Sequence, residues 1–460
     1  MRKSSLFSLA ALGVMLLSSC QQTPKYVFLM IGDGMGINEV RGTEIFNEAK
    51  GVADPTVNFF HFPVRTFYNT HATSTLVTDS AAGGTALATG QKTYSGAMGV
   101  DNDKNPIQSI AEKAIAAGYG AGVVTCVGVN HATPGAFYSH TDNRNNYDVI
   151  AEQLFASDLS FAAGGGFNLE RKTGKTGEDY VEQAKAAGWE VFQGKGSFAG
   201  INSTGKVLCL GDDIKSDILK YRIDQNEDDT TLSDFTDAAI KHLYKNHKKG
   251  FFLMVEGGSI DHACHDNDGA SAFEDVNDFA MAIDVVLKFY KEHPKQTLIV
   301  VGADHETGGL MLGSGQYSMA PKNLTYQKMS EGELSKKIQA MSAQPIPPTW
   351  DDVKAVLSDA LGMWNEVKVD PKTEEHFKDL YTQVFLKKKD MNVAAWYSLN
   401  SAIASDAVAY VNKVAGYGWA FEPHSGSPVG CYAIGAGAES FMTIHENADI
   451  PQVMAKLAKY

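Results

Sequence analysis

Four short apolar runs, separated by stretches with helical spacing, constrain the fold of this chain more than any other feature. The runs lie at residues 25–31, 121–125, 251–255 and 297–301. Continuous apolar runs of this length are typical of strands that are buried on both faces, and the stretches between them have the spacing of amphipathic helices. The pattern predicts an α/β fold: a three-layer sandwich with a large, mostly parallel central sheet covered by helices. Helices are predicted at 107–117, 147–155, 232–244 and 270–290.

The later part of the chain differs in character. Residues 311–416 are rich in Lys, Glu, Gln and Ser at helical spacing, with a proline-rich break at 345–348. We expect this region to be a helical insertion packed on the sheet, followed by a return to a core strand at 430–435. The chain has 460 residues, of which 44% are hydrophobic, enough for a large core. We therefore expect one domain, 20–460, that contains the insertion.

The first twenty residues have the pattern of an export signal. Arg2 and Lys3 precede an apolar stretch at 6–17, and Cys20 follows shortly after it. The stretch is too short for an ordinary transmembrane helix and is typical of a signal peptide. Its ending resembles a bacterial lipoprotein signal, so we expect residues 1–19 to be removed and Cys20 to carry lipid. The alternative is a plain signal peptide that contains a cysteine. Either way we expect an exported bacterial protein, periplasmic or anchored at the outer membrane only through this lipid.

The net charge of the chain limits the classes of function that it can have. A formal net charge of -14 argues against nucleic acid as a partner, since nonspecific nucleic-acid binding needs Lys and Arg to neutralise phosphates. It does not exclude a small anionic substrate, because bound metal ions can dominate the local field.

Four cysteines remain after Cys20, and they could form disulfides or be buried free thiols. They are Cys126, Cys209, Cys264 and Cys431.

Acidic residues and histidines follow three of the apolar runs. In an open α/β sheet the carboxyl ends of the strands meet at one edge, where ligands bind, so these side chains are expected to converge. Asp and His are zinc ligands, and carboxylate-rich sites also suit magnesium. Asp261 and His265 are four residues apart and would share one face of a helix, whereas His262 would point elsewhere and Cys264 is a neighbour. The residues that follow the runs are Asp33, Glu256, Asp261, His262, His265, Asp304 and His305.

A serine in a segment of small residues is the candidate nucleophile. Ser80 follows Asp79 and precedes a stretch of Ala and Gly that can continue as a helix. A serine at a helix N-terminus sits in a positive potential that favours phosphate, and a nearby metal could stabilise its alkoxide. On its own, the Asp79–Ser80 pair could simply be a helix N-cap.

These motifs, in this order, resemble those of the alkaline phosphatases through most of the chain after residue 20. The segment 79–85 is similar to the nucleophile signature of that family, with Ser80 as the phosphorylated residue. The resemblance also implies that Arg144 binds phosphate, that His424, followed by a small residue and Gly, is a zinc ligand, and that Thr133 is a magnesium ligand. His131 and His262 stand at positions that vary within the family, and this leaves the third metal ion, magnesium or zinc, open.

The resemblance implies hydrolysis of small phosphate monoesters through a phosphoserine, with two zinc ions and one magnesium ion, and a possible homodimer. It assigns Asp261, His265 and His424 to one zinc ion. The second zinc ion and the magnesium ion would share Asp33. The complete implied ligand set is Asp33, Ser80, His131, Thr133, Glu256, Asp261, His265, Asp304, His305 and His424.

Two other functions compete with this interpretation. A sulfatase of the same fold would need a nucleophile motif different from the one around Ser80. A phosphodiesterase of the same fold would usually lack the third metal site, whereas Thr133 and Glu256 are present. A non-catalytic phosphate- or metal-binding lipoprotein would be favoured if Ser80 or a zinc ligand were missing. The sequence favours the phosphomonoesterase.

Overall fold

The computed structural model describes residues 23–313, 317–387 and 393–460. The signal peptide predicted at 1–19 and the lipidation predicted at Cys20 lie outside the described residues. The strands are Tyr26–Gly32 (β1), Val64–Tyr68 (β2), Gly120–Thr125 (β3), Phe161–Gly164 (β4), Trp189–Gln193 (β5), Lys206–Leu210 (β6), Phe251–Gly257 (β7), Thr297–Gly302 (β8), Glu306–Thr307 (β9), Met311–Leu312 (β10), Tyr417–Gly418 (β11), His424–Ser425 (β12) and Val429–Gly435 (β13).

Helices connect these strands in alternation through most of the chain. They are Ile37–Lys50 (α1), Ser80–Thr89 (α2), Ile110–Ala116 (α3), Ala132–Gly135 (α4), Tyr147–Ala156 (α5), Gly177–Ala186 (α6), Lys195–Phe198 (α7), Leu232–Asn246 (α8), Ser259–His265 (α9), Gly269–Glu292 (α10), Glu331–Ser342 (α11), Trp350–Leu361 (α12), Pro371–Tyr381 (α13), Val393–Ala415 (α14) and Asp449–Ala458 (α15).

A nine-stranded sheet forms the centre, in the order β2-β13-β8-β1-β7-β3-β4-β6-β5. The four strands predicted from the apolar runs, β8, β1, β7 and β3, are adjacent and parallel in its middle. Only β13 runs antiparallel, between β8 and β2. Every residue of β1, β3, β7 and β8 is buried, as expected for strands covered on both faces. The predicted α/β fold with a mostly parallel sheet is confirmed.

The register of the central strands brings their carboxyl ends to the same level. Ile31 at the end of β1 pairs with Glu256 on one side and with Gly302 on the other. Asp33 and Asp304 therefore leave the sheet beside each other, next to Glu256. The edge that carries the predicted ligands is thus set by strand pairing in the buried core.

One predicted helix begins later than expected. The apolar spacing predicted a helix over 107–117, but α3 begins at Ile110. Ser109 caps it: the Ser109 hydroxyl accepts from the backbone N–H of Glu112, and the Glu112 carboxylate accepts from the N–H of Ser109. This capping box fixes the start of the helix at that point, whatever the apolar residues upstream.

The helical character predicted for 311–416 is observed in α11 to α14. Their apolar side chains form a second hydrophobic cluster, which includes Leu334, Leu357, Phe377 and Val408. The short strand β10 at the beginning of the region pairs antiparallel with β11 just beyond its end. This pairing brings the two ends of the region together beside the sheet.

The four cysteines from Cys126 onward are buried free thiols, so the disulfide alternative does not hold for them. Within the described ranges, no helix combines the length and the apolar character needed to cross a membrane.

Candidate active site at the carboxyl edge of the sheet

Three groups of ligand atoms lie at the carboxyl edge of the central strands. Within each group the atoms are within 4.8 Å of one another, a spacing that suits coordination of one cation. Two groups share His305 and two share Asp33, so the three form one continuous centre. The groups are Asp33, Asp304 and His305; Asp261, His305 and His424; and Asp33, His131 and Glu256.

The first group surrounds the candidate nucleophile. Ser80 Oγ lies 3.2 Å from His305 Nε2, and the same nitrogen lies 3.4 Å from Asp33 Oδ1 and 3.3 Å from Asp304 Oδ2. Ser80 is the first residue of α2, and Asp79 caps this helix by accepting from the backbone N–H of Ala82 at 3.2 Å. The cap and the site are therefore compatible, because the cap holds Ser80 at the helix N-terminus.

The second group joins α9 to the short strand β12. Asp261 and His265 lie on one face of α9, with His265 Nε2 3.3 Å from Asp261 Oδ2. His424 Nε2 lies 3.2 Å from His265 Nε2 and 3.7 Å from Asp261 Oδ1. The ring of His424 stacks on that of His305, with centroids 3.6 Å apart. All the residues that the family resemblance assigned to the first zinc ion are thus together.

The third group lies between β7, β1 and α4. Thr133 donates its hydroxyl to Asp33 Oδ2 at 3.4 Å, and Thr125, at the end of β3, donates to the Glu256 carboxylate. His262 is outside the three groups, as its position on α9 predicted. Its ring contacts that of His131 edge to face, with centroids 5.9 Å apart.

Arg144 reaches the same centre from the loop before α5. Its Nη1 lies 3.0 Å from Asp79 Oδ2, and its Nη2 lies 3.4 Å from His131 Nε2. The Arg144 side chain is 23% exposed. Asp79 therefore holds one amino group of the guanidinium, while the other lies beside His131 of the third group. Burial lowers the pKa of Arg144, but the neighbouring charge of Asp79 outweighs it and the pKa is raised.

The electrostatics of the carboxylates show a site arranged for positive charge. Burial, with the charges of Asp304, Asp261 and Glu256, raises the pKa of Asp33 well above its ordinary value. Burial and the charge of Asp261 raise the pKa of Asp304 to about 8, and burial raises that of Glu256 to about 7. Burying this many carboxylates together is costly unless a cation neutralises them.

The histidines and Asp261 differ from these carboxylates in the direction of their pKa shifts or in its cause. Burial lowers the pKa of His305 and of His131 well below the ordinary value, so both are neutral. Burial opposes ionisation of Asp261, but its contact with His265 outweighs burial and holds the pKa of Asp261 low. A hydrogen bond with Asp261 raises the pKa of His265. Neutral imidazoles beside carboxylates are the form in which these side chains bind metal ions.

A second observation indicates that these residues suit divalent cations. Four buried side-chain atoms of the three groups have no hydrogen-bond partner: Asp33 Oδ1, Asp304 Oδ2, Glu256 Oε1 and His131 Nδ1. Buried polar atoms are nearly always paired, and a bound ion is one of the explanations for an exception. Oxygen and imidazole nitrogen are donor atoms for zinc, and oxygen is the preferred donor for magnesium.

One buried contact near the centre was not found from the sequence. The Tyr68 hydroxyl, on β2, donates to the carbonyl of Ala303 at 2.6 Å and accepts from its N–H at 2.9 Å. A Cβ at Gly302 would lie 2.4 Å from this hydroxyl. Tyr68 therefore holds the backbone immediately before Asp304 and His305. Nothing in the apolar runs indicates this contact, because it depends on β2 lying two strands from β8.

The family model described as Alkaline phosphatase matches residues 24–460, nearly the whole described chain. The chain belongs to the alkaline phosphatase family. Alkaline phosphatase 4 of Bacillus subtilis is 31% identical over 444 residues, which cover 94% of this chain and 88% of that protein. This phosphatase is thus similar to a relative over almost the full length of both.

Solved structures of alkaline phosphatases share the fold. The cold-active enzyme from a psychrophilic Shewanella species is 31% identical, covers 94% of this chain and 99% of its own, and superposes with a TM-score of 0.80. The alkaline phosphatase of the Antarctic bacterium TAB5 is 26% identical, covers 95% of this chain and 99% of its own, and has a TM-score of 0.67. Together with the family match, these likenesses place the present chain among the alkaline phosphatases.

Proposed function

We propose that this phosphatase hydrolyses phosphate monoesters to an alcohol and inorganic phosphate through a phosphoserine formed on Ser80. The observation that carries the proposal is the position of Ser80 Oγ, 3.2 Å from His305 Nε2 at the N-terminus of α2. This hydroxyl lies at a helix N-terminus, beside the His305 nitrogen that also approaches the Asp33 and Asp304 carboxylates, and the adjacent residue Asp79 binds the Arg144 guanidinium. Few side chains other than a nucleophile would need such surroundings.

The proposed metal ions are two zinc ions and one magnesium ion. Zinc would be held by Asp261, His265 and His424 at one position, and by Asp33, Ser80, Asp304 and His305 at the other. Magnesium would be held by Asp33, Thr133 and Glu256, with His131 beside it. When bound, such cations stabilise the entering and leaving oxygens of a phosphoryl displacement and lower the pKa of water.

Arg144 and the N-terminus of α2 would orient the substrate. The guanidinium offers paired N–H donors that match two phosphate oxygens. Asp79 Oδ2, 3.0 Å from Arg144 Nη1, would limit the rotation of the guanidinium. The free N–H groups of the first turn of α2 add positive potential at the same place. Phosphoryl transfer depends mainly on this kind of positioning and charge neutralisation.

The chemistry would take two displacements at phosphorus. Ser80 Oγ forms a bond to phosphorus while the bond to the ester oxygen breaks, and the proton that Ser80 gives up is balanced by the proton that the departing alcohol takes. Water then attacks the phosphoserine and the bond from phosphorus to Ser80 Oγ breaks; one proton of the water returns to Ser80, and inorganic phosphate is released. His305 Nε2 faces Ser80 Oγ at 3.2 Å and accepts no proton while it serves as a ligand.

The cellular setting is proposed from the sequence. Residues 1–19 would direct export, and Cys20 would carry a lipid, which makes the enzyme a periplasmic or outer-membrane-anchored lipoprotein of a bacterium. Small phosphate monoesters would be the substrates, and a homodimer is the proposed assembly.

Hydrolysis of p-nitrophenyl phosphate tests the proposal, with the protein first stripped by a chelator and then re-supplied with zinc and magnesium. Bis(p-nitrophenyl) phosphate and p-nitrophenyl sulfate serve as controls for a diesterase and a sulfatase. Activity on the monoester that returns only with metals supports the proposal. Metal binding with no turnover of any of the three esters would overturn it and favour a binding protein.

A further inference from the structure

Thr307 is a buried residue that connects two of the ligand groups. It lies in β9, is fully buried, and pairs in register with His424 on β12. Its hydroxyl oxygen lies 2.5 Å from Asp261 Oδ1 and 3.2 Å from His305 Nδ1. One hydroxyl therefore touches a proposed ligand of each zinc ion.

The direction of both hydrogen bonds is determined by the chemistry of the groups. A carboxylate can only accept, so the single hydroxyl proton of Thr307 goes to Asp261. The lone pairs of the hydroxyl oxygen are then free to accept, and His305 must donate from Nδ1. This places the remaining lone pair of the imidazole on Nε2, the atom that faces Ser80 Oγ at 3.2 Å.

The space for this bridge is left by a glycine. Gly34 has a φ of +69°, and a Cβ there would lie 2.9 Å from Thr307 Oγ1 and 2.9 Å from Asp261 Oδ1. A side chain at this position would push the hydroxyl and the carboxylate out of place. Gly34 also donates its N–H to Asp304 Oδ1 at 3.3 Å, so the same backbone turn meets ligands of both zinc ions.

We propose that Thr307 is a positioning residue that couples the two zinc sites, by fixing the Nδ1–H tautomer of His305 and the orientation of the Asp261 carboxylate through one hydroxyl. The proposal rests on the proposed zinc sites. Zinc binding at either site would lock the shared hydroxyl and so pre-order a ligand of the other site. Groups that orient metal ligands in this way typically change affinity by about 10- to 100-fold when removed.

The test compares Thr307→Val, which keeps the shape but removes the hydroxyl, with Thr307→Ser, which keeps the hydroxyl. Thr43→Val is the matched control, since it removes a buried hydroxyl that donates to the Glu39 carbonyl at 2.8 Å within α1. Zinc affinity is measured for each full-length protein by competition with a chelating dye, and thermal unfolding of the metal-free proteins checks their folding.

We expect Thr307→Val to weaken binding of both zinc ions by about 10- to 100-fold and to abolish the coupling between them. Thr307→Ser and Thr43→Val should match the wild type. Equal zinc affinities in the wild type and Thr307→Val, or equal losses of zinc affinity in the Ser and Val variants, would overturn the proposed coupling and leave the proposed function standing. A wild-type protein that binds no zinc would instead overturn the proposed function and the coupling with it. If Thr307→Val unfolds, the ring ¹⁵N shifts of His305 in the metal-free Thr307→Ser protein decide: Nδ1–H supports the proposal, and Nε2–H overturns it.

Discussion

His265 Nε2 and His424 Nε2 face each other at 3.2 Å, although the two residues are 159 positions apart in the chain. Each ring donates its Nδ1–H to a backbone carbonyl, His265 to Glu422 at 2.8 Å and His424 to Thr78 at 2.9 Å. Both Nε2 lone pairs are therefore directed to the same point, beside Asp261. Two lone pairs in this position repel unless a proton or a cation lies between them, and a shared metal ion satisfies both.

His424→Ala should remove one zinc ion per chain. The substitution leaves only Asp261 and His265 at this position, which are too few ligands for a stable tetrahedral site. The first group, beside Ser80, keeps Asp33, Asp304 and His305. We expect zinc content, measured by elemental analysis after dialysis, to fall by one ion and monoesterase activity to fall by at least about 100-fold. His376→Ala is the control, because His376 is exposed and pairs with Asp406 in the helical region. An unchanged zinc content in His424→Ala would contradict the assignment of this residue.

Arg144→Lys should weaken phosphate binding although the charge is kept. Lysine cannot make the paired contact of a planar guanidinium with phosphate, and Asp79 would not orient the lysine ammonium as it orients the guanidinium. We expect inorganic phosphate, as an inhibitor, to bind about 10- to 100-fold more weakly, equal to a loss of about 1.4–2.7 kcal/mol. Zinc content should not change, since Arg144 is not a ligand. Inhibition constants that match those of the wild type would show that Arg144 does not bind phosphate.

Tyr68→Phe should destabilise the protein without altering its shape. The hydroxyl is buried and satisfies both the N–H and the carbonyl of Ala303, so its removal leaves two buried backbone groups unpaired. We expect the free energy of unfolding to fall by about 1–3 kcal/mol in urea titrations. Tyr432→Phe, on the neighbouring strand β13, removes a hydroxyl that is not among the partners of Ala303 and should cost less. Equal losses in the two variants would argue against a special role for Tyr68.

The raised pKa values predict that metal binding releases protons. Without metal, Asp304 has a pKa of about 8 and Glu256 of about 7, so both hold protons through much of the neutral range. Cations bind the ionised forms and must displace these protons, so zinc and magnesium affinities should rise with pH and level off above about pH 8. Calorimetry in buffers of different ionisation enthalpy should show more protons released at about pH 6 than at about pH 9. Equal proton release at both values would contradict the raised pKa values.

The sequence predicted those parts of the site that depend on the order of the strands. Asp33, Glu256 and Asp304 each lie within three residues of the end of an apolar run, and parallel pairing brings the ends of such strands to one edge. His131, Thr133, Arg144 and His424 were placed by family resemblance, because they lie on loops or very short elements whose positions depend on long-range packing. His424 lies in a two-residue strand, β12, which no periodicity can indicate.

The contacts that support the ligands were not predicted. Thr307 is two residues after His305, but its bridge to Asp261 exists only because α9 and β9 meet in three dimensions. Tyr68 reaches Ala303 because β13 lies between β2 and β8 in the sheet, an order that is not the order of the chain. A hydroxyl that supports a ligand looks, in a single sequence, like any other buried Thr or Tyr.

The central claim is that Ser80 carries the phosphoryl group during turnover. With enzyme in excess over p-nitrophenyl phosphate, reactions quenched in acid at successive times can be digested and examined by mass spectrometry. We predict phosphate on Ser80 in the wild type loaded with zinc and magnesium, rising and then falling as substrate is consumed, and no phosphate in Ser80→Ala or in chelated protein. Substrate consumed at the wild-type rate by Ser80→Ala, or phosphate found on another residue, would contradict the account.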